Sequence, residues 1–269
     1  MSETTSDDIA TGAALVRLRA AAPLVHCITN YVAMQIAANA VLAAGASPAM
    51  LHAPEEAGEF APLAGALTVN IGTLSQHWLE GMTRAAQAAT ADGRPWVLDP
   101  VAVGATAFRR AAGERLLALN PTVIRGNASE ILALAGAGGA SKGADSGDPV
   151  DAAAEAARAL TARSGAVVAV TGATDLITDG TRTARIANGH PLMPTVTALG
   201  CALTAVLGGF LASNDNPFEA TTSALAYYGL AGQIAAESAA GPGSFAVAFL
   251  DALAAIDAAA LDRGARVSA

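Results

Sequence analysis

The stretch VIRGNASEI (residues 123–131) places an arginine, an asparagine and a glutamate directly after a run that reads as a β-strand. Arg125 offers a fixed fork of donors that matches phosphate oxygens. Asn127 can cap the helix that follows, and Glu130 stands three residues on, where a capping box would use it. The same carboxylate could instead face a hydrated Mg²⁺, an ion that takes one or two carboxylates together with waters and phosphate oxygens. Asp99 closes the otherwise apolar PWVLDP and is the natural second acid for that ion, unless it only forms a turn before proline. A third candidate is TVTALGCALTAVLGGF (195–210), where Gly200 and Cys201 stand at the start of an apolar helix. The unpaired amides of such a start make an anion site. Cys201 there is a nucleophile, a hydrogen-bond partner or a small buried apolar residue. Taken together these groups suit phosphoryl transfer, in which catalysis is mostly positioning and charge neutralisation.

The elements that must position them alternate along the chain. Short β-rich runs (PLVHCIT, ASPAML, LTVNIG, PWVLDP, TVIRGN, AVVAVTG) are interleaved with Ala-rich helical runs, which predicts an α/β fold with a mostly parallel central sheet flanked by helices. In such sheets ligands bind outside the carboxyl ends of the strands. The residues there are Asn30, then Met50 and His52, then Asn70 to Thr73, Asp99-Pro100, Arg125 to Asn127, and Thr171-Gly172, polar or glycine at every strand end. After AVVAVTG, Asp179-Gly180 sits between two short polar-alternating runs and predicts a hairpin. Three helical segments then finish the chain: GCALTAVLGGFLASN, FEATTSALAYYGLAGQIAAES and FAVAFLDALAAIDAAALDR. The glycine-rich AGAGGASKGADSGD (135–148) reads as a loop, and strands of the same kind on both sides of it predict a single domain over 1–269. Residues 1–20 form an N-terminal extension and first helix.

With 53% hydrophobic and 14% charged residues, the chain is built for a well-buried core. A net charge of −8, and no basic cluster longer than Arg109-Arg110, speak against nucleic acid as a partner. The first twenty residues carry acid where a signal peptide needs base, and no run is long enough for a membrane span, so a cytoplasmic location is expected. Two cysteines make no disulfide framework. Neither GxxxxGK[ST] nor a GxGxxG after a strand is present, which excludes a P-loop and disfavours a dinucleotide fold.

The segments PLVHCITNYVAMQIAANAVLAAGASPAMLHAPEE, NIGTLS, VLDPVAVGAT, VIRGNASEILALAG, KGADS, VVAVTGATDLITDG, NGHPLM and GPGSF, taken in order, resemble the hydroxyethylthiazole kinase family over nearly the whole chain. The resemblance implies a ribokinase-like fold, a homotrimer with active sites between subunits, and MgATP-dependent phosphorylation of the hydroxyl of 4-methyl-5-(2-hydroxyethyl)thiazole, a salvage step toward thiamine. Residue by residue it implies that Met50 touches the thiazole, that Asn30 lies in the segment lining the same site, and that residue 198 contacts substrate. Arg125 and Thr171 would meet the ATP phosphates, with Asn127 beside them, and Asp99 and Glu130 the hydrated Mg²⁺. His26 is a wall of the pocket or, by a small preference, a satisfied core histidine.

Members of the family carry a pattern like VTGTGC where this chain has Val196-Thr197-Ala198-Leu199-Gly200-Cys201. In the wider ribokinase-like group an aspartate stands at the last position and takes the substrate hydroxyl proton, so Cys201 occupies the base position. Ala198 and Leu199 replace glycine and threonine. If residue 198 needs φ > 0, alanine there costs on the order of 1 kcal/mol or reshapes the turn. Retained kinase activity is the expectation. The alternatives are a kinase for another small alcohol of the same fold, or a non-catalytic trimeric protein that binds a thiazole or a nucleotide.

Overall fold

The computed structural model of the chain describes residues 9–136 and 149–269. Most of the glycine-rich run, with the KGADS segment, lies outside the described residues, as do the first eight. The first part of the chain runs α1 (Thr11–Ala21), β1 (Leu24–Ile28), α2 (Met34–Ala44), β2 (Ser47–Ala49), α3 (Pro54–Phe60), β3 (Ala66–Asn70), α4 (Gln76–Ala91) and β4 (Trp96–Asp99). It continues through α5 (Ala107–Leu117), β5 (Val123–Asn127), α6 (Ala128–Leu134), α7 (Pro149–Ser164) and β6 (Val167–Thr171). A hairpin, β7 (Asp175–Thr178) and β8 (Thr183–Ile186), follows. Four helices come next, α8 (Leu199–Ser213), α9 (Pro217–Ser238), α10 (Pro242–Ala255) and α11 (Ala258–Gly264), and a short β9 (Val267–Ser268) closes the chain.

The nine strands among the described residues form one sheet in the order β2-β1-β3-β4-β5-β6-β7-β8-β9, parallel as far as β6 and antiparallel beyond it. The alternation of apolar strands and helices had predicted the parallel part, and Asp179-Gly180 the hairpin. Gly180 there has a φ of 90°. The strand order reverses between β1 and β3, which opens a crevice at their carboxyl ends.

The final helical segment is two helices where the sequence reading has one. The chain breaks at Ile256-Asp257 and bends by 114° between α10 and α11. Asp257 causes the break: its side chain accepts a hydrogen bond from Ala260 N at 2.7 Å, so it starts a new helix instead of continuing the old one. β9, two residues of an exposed edge, carries no periodic signal and was not anticipated.

Strand residues alternate between two apolar clusters, one on each face of the sheet. Val97, Val123, Val167 and Ala169 face α1, α2 and α8 to α11, while Leu98, Ile124, Val168 and Val170 face α3 to α7. α8 lies close against the sheet because Gly208 has no side chain. A Cβ there would fall 2.5 Å from Thr68 Cγ2 and 2.8 Å from Val25 Cγ1. No single helix among the described residues is long and apolar enough to cross a membrane.

Candidate active site

The period-two alternation of the strands decides where the polar strand-end residues point. Asp99 is two residues past Val97, Arg125 two past Val123 and Thr171 two past Ala169, so all three continue the face that packs on α8. Asn70 is two past Thr68, which faces Gly208 of the same helix. The strands are in register, with Asn70 opposite Asp99 and Asn127 opposite Thr171. Four polar side chains from four adjacent strands therefore meet the N-terminus of α8.

They form a continuous hydrogen-bonded chain. Asn30 Nδ2 donates to Asn70 Oδ1 at 2.9 Å and lies 3.3 Å from Cys201 Sγ, while Asn30 Oδ1 accepts from Val32 N and Ala33 N, each at 3.1 Å. Asn70 Nδ2 donates to Asp99 Oδ2 at 2.6 Å, and Thr204 Oγ1, one turn along α8 from Cys201, donates to the same oxygen at 2.7 Å. Asp99 Oδ1 is buried without a hydrogen-bond partner. Asn30 reaches this position because Gly72 has no side chain; a Cβ there would fall 2.5 Å from Asn30 Nδ2.

Arg125 lies beside this chain, its Nη1 3.6 Å from Asp99 Oδ2. Nη1 donates to Gly200 O at 3.1 Å and Nη2 to Thr171 Oγ1 at 2.9 Å, and Nε is buried with no partner. Burial pushes the Asp99 carboxyl up to about 6; the Arg125 cation pulls it back and the Glu130 charge adds to the rise. Burial first, and then the Asp99 charge, push the Cys201 thiol above its ordinary value. Cys201 is thus a neutral, half-buried thiol at neutral pH, a hydrogen-bond partner rather than a ready nucleophile.

Glu130 closes the cap, and the cap does not exhaust its carboxylate. The capping box is present: Asn127 Oδ1 accepts from Glu130 N at 3.0 Å and Glu130 Oε2 accepts from Asn127 N at 2.9 Å. Glu130 Oε1 also accepts from Ala102 N at 2.9 Å, in the loop after β4. Each oxygen keeps a lone pair free, and the Glu130 charge is felt at Asp99. Asn127 spends its side-chain oxygen on the cap. A hydrated divalent cation fits this donor set, since it needs only one or two carboxylates, one of which has an orphaned oxygen.

Ala198, the residue before α8, has φ 65° and ψ 8°, the left-handed conformation whose cost the sequence reading anticipated. Tyr228 Oη donates to Leu199 O at 2.7 Å and holds the helix start from α9. Met50 stands just past β2, outermost on the same sheet edge, half-buried against the α8-side cluster. An aromatic ladder belongs to the cluster on the other face of the sheet: the buried Trp78 packs on the exposed Tyr31 at 4.8 Å between ring centroids and on His52 at 4.4 Å. His26 lies in the core, as preferred, but is only half satisfied, since its Nδ1 is buried without a hydrogen-bond partner. It is fully buried, Nε2 is 2.9 Å from Leu51 O, and burial lowers it to about 4.

The family model for the hydroxyethylthiazole kinase family matches residues 15–259. The chain belongs to the hydroxyethylthiazole kinase family. A family relative named hydroxyethylthiazole kinase, from Cereibacter sphaeroides strain KD131, is 67% identical over 258 residues, covering 96% of this chain and 98% of its own. The solved structure of a hydroxyethylthiazole kinase protein from Pyrococcus horikoshii OT3 superposes with a TM-score of 0.88 at 42% identity, over 96% of this chain and 97% of that one. A pyridoxal kinase from Staphylococcus aureus, solved in complex with ADP, shares the fold more distantly, with a TM-score of 0.62 at 18% identity over 78% of this chain and 88% of its own.

Asn70, Thr204 and Tyr228 had no role in the sequence reading. Asn70 was visible as a strand end, and Thr204 shares a helix face with Cys201 at a spacing of three. Nothing in the sequence marks Tyr228.

Proposed function

We propose that the chain transfers the terminal phosphoryl group of ATP to the hydroxyl of 4-methyl-5-(2-hydroxyethyl)thiazole, with Mg²⁺ as cofactor. The kinase activity toward the thiazole alcohol follows from family membership at 67% identity over nearly the full length. The observation that carries the assignment to this site is the meeting of the Asn30–Asn70–Asp99–Thr204 chain with Arg125 and the amide end of α8.

In the reaction the alcohol oxygen forms a bond to the terminal phosphorus, the bond to the bridging oxygen breaks, ADP leaves and the hydroxyl proton is released. Arg125, held flat by Gly200 O and Thr171 Oγ1, supplies donors to the phosphate oxygens, and Thr171 and Asn127 border the same strand ends. The free amides at Gly200 and Cys201 face the transferring group. Met50, Asn30 and Ala198 line the alcohol. Bound Mg²⁺ would neutralise charge on the phosphate oxygens; Asp99 and Glu130 are the residues that would hold it. Cys201 occupies the base position with a thiol pushed above its usual range, so the alcohol attacks with little base assistance.

The chain acts as a single cytoplasmic domain assembled into a homotrimer with active sites between subunits. Tyr31 and Val32, 64% and 60% exposed beside Asn30, support an assembly there. The deciding experiment measures ADP release from ATP with and without the thiazole alcohol, with Mg²⁺ or with chelator, following the phosphate ester by mass. Alcohol-dependent release that chelator abolishes is expected. No release at high enzyme, with the alcohol still bound, would make the protein a binder.

A further inference from the structure

We infer that Arg109 is a positioning residue for phosphoryl transfer, holding Asn70 and Glu130 in place through the backbone of the loops after β3 and β4; this rests on the kinase reading above. Arg109 lies in the first turn of α5, half-buried. Its Nη1 donates to Ile71 O at 2.6 Å and to Val101 O at 2.9 Å, and its Nη2 to Gly72 O. Three carbonyls from two loops converge on one guanidinium, and among the described residues no carboxylate pairs with it within 4.0 Å.

Two of those carbonyls belong to peptide units whose N–H groups face the site. The unit joining Ile71 to Gly72 gives its oxygen to Arg109 and its N–H to Asn70 Oδ1 at 2.9 Å. The unit joining Val101 to Ala102 gives its oxygen to Arg109 and its N–H to Glu130 Oε1 at 2.9 Å. Each peptide plane is therefore clamped between the arginine and a site residue, and a cation on its oxygen strengthens the N–H as a donor. The first clamp fixes which way the Asn70 amide lies, and so which atom meets Asp99. The second holds Ala102 at a φ of 52°, which an alanine does not favour unaided. Arg110 Nη1 donates to Gly104 O at 2.9 Å and ties the far end of the same loop. A lysine has one point of charge and cannot bridge three fixed carbonyls as the planar fork does.

The test compares wild type with Arg109→Met, Arg109→Lys and the double variant Arg109→Met/Ala102→Gly. Amide hydrogen exchange of residues 70–73 and 100–104, measured without ligands, is the readout independent of activity. In Arg109→Met, exchange in both segments should rise about tenfold while the central strands stay protected, the loss expected for a charge-assisted hydrogen bond. The kcat should fall about tenfold or more with the KM for ATP within about twofold, and Mn²⁺, used as the probe in place of Mg²⁺, should half-saturate at about tenfold higher concentration. Arg109→Lys should recover part of the loss. The double variant should recover more of it, since glycine holds positive φ without help. Unchanged exchange in the two segments, a uniform rise across the sheet, or no rescue by Ala102→Gly would overturn the inference. Should wild type lack alcohol-dependent activity, the kinase reading falls, and the exchange pattern with Mn²⁺ binding still decides the role of Arg109.

Discussion

Asp99 is fully buried at the end of β4, with its carboxyl pushed up to about 6, and this gives the protein a distinctive pH dependence. An acid whose folded value lies above its unfolded one binds more protons when folded, so stability rises as pH falls from about 6 toward 4 and the contribution is absent above that window. Between pH 8 and pH 5, unfolding free energy should rise by roughly 1.4 kcal/mol more in wild type than in Asp99→Asn, as denaturant titration would read it. Asp175 is pushed the same way and leaves a residual slope in the variant. The variant should also lose nearly all turnover. Cys201→Asp puts a carboxylate where Asn30 Nδ2 and the charge of Asp99 would meet it, and should raise kcat by about tenfold or more, consistent with general-base catalysis; an unchanged or lower kcat would count against the base position. Ala198→Gly removes left-handed strain of about 1 kcal/mol and should raise Tm by about 2–4 °C. Most of these residues were legible in the sequence because each follows an apolar strand at an odd or even step that sets its face. Arg109 was not, because its partners are carbonyl oxygens, which every residue has.

α8 turns these side chains into a site by lying against the strand ends. Gly208 sets that distance, and Gly208→Ala should push the helix outward. A loss of about 1–3 kcal/mol is expected by denaturant titration, with a fall in kcat larger than the change in KM if the alcohol sits at Met50 and Asn30 as proposed, away from the amide end of the helix. The elements themselves were legible where periodicity was strong. PLVHCIT and AVVAVTG could hardly be anything but buried strands, and the helices between the strands follow from their Ala-rich runs. What failed was local competition with that pattern. Asp257 interrupts a run whose alanines and leucines read as one continuous helix, because a carboxylate that caps backbone amides outweighs a weak propensity to continue. β9 pairs only with β8, and two residues carry no period.

At the scale of the whole molecule, one sheet with an apolar cluster on each face carries the proposed site along a single edge. The exposed Tyr31 and Val32 lie on that edge, next to Asn30. Sedimentation velocity should give a mass of three times 26.5 kDa for wild type, and Val32→Glu should lower both the mass and the turnover; a monomeric wild type with full turnover would rule out shared sites. The assembly could not be read from composition, because alanine- and glycine-rich helix faces pack equally well within a subunit or between two. The aromatic ladder beside Asn30 has an optical consequence. The chain has two tryptophans, and both are buried in the same apolar cluster: Trp78 packs between Tyr31 and His52, and Trp96 donates its Nε1 to Thr90 Oγ1. Emission of the folded chain should therefore come from two water-shielded indoles and move to longer wavelength as both meet solvent, so unfolding can be followed without any label.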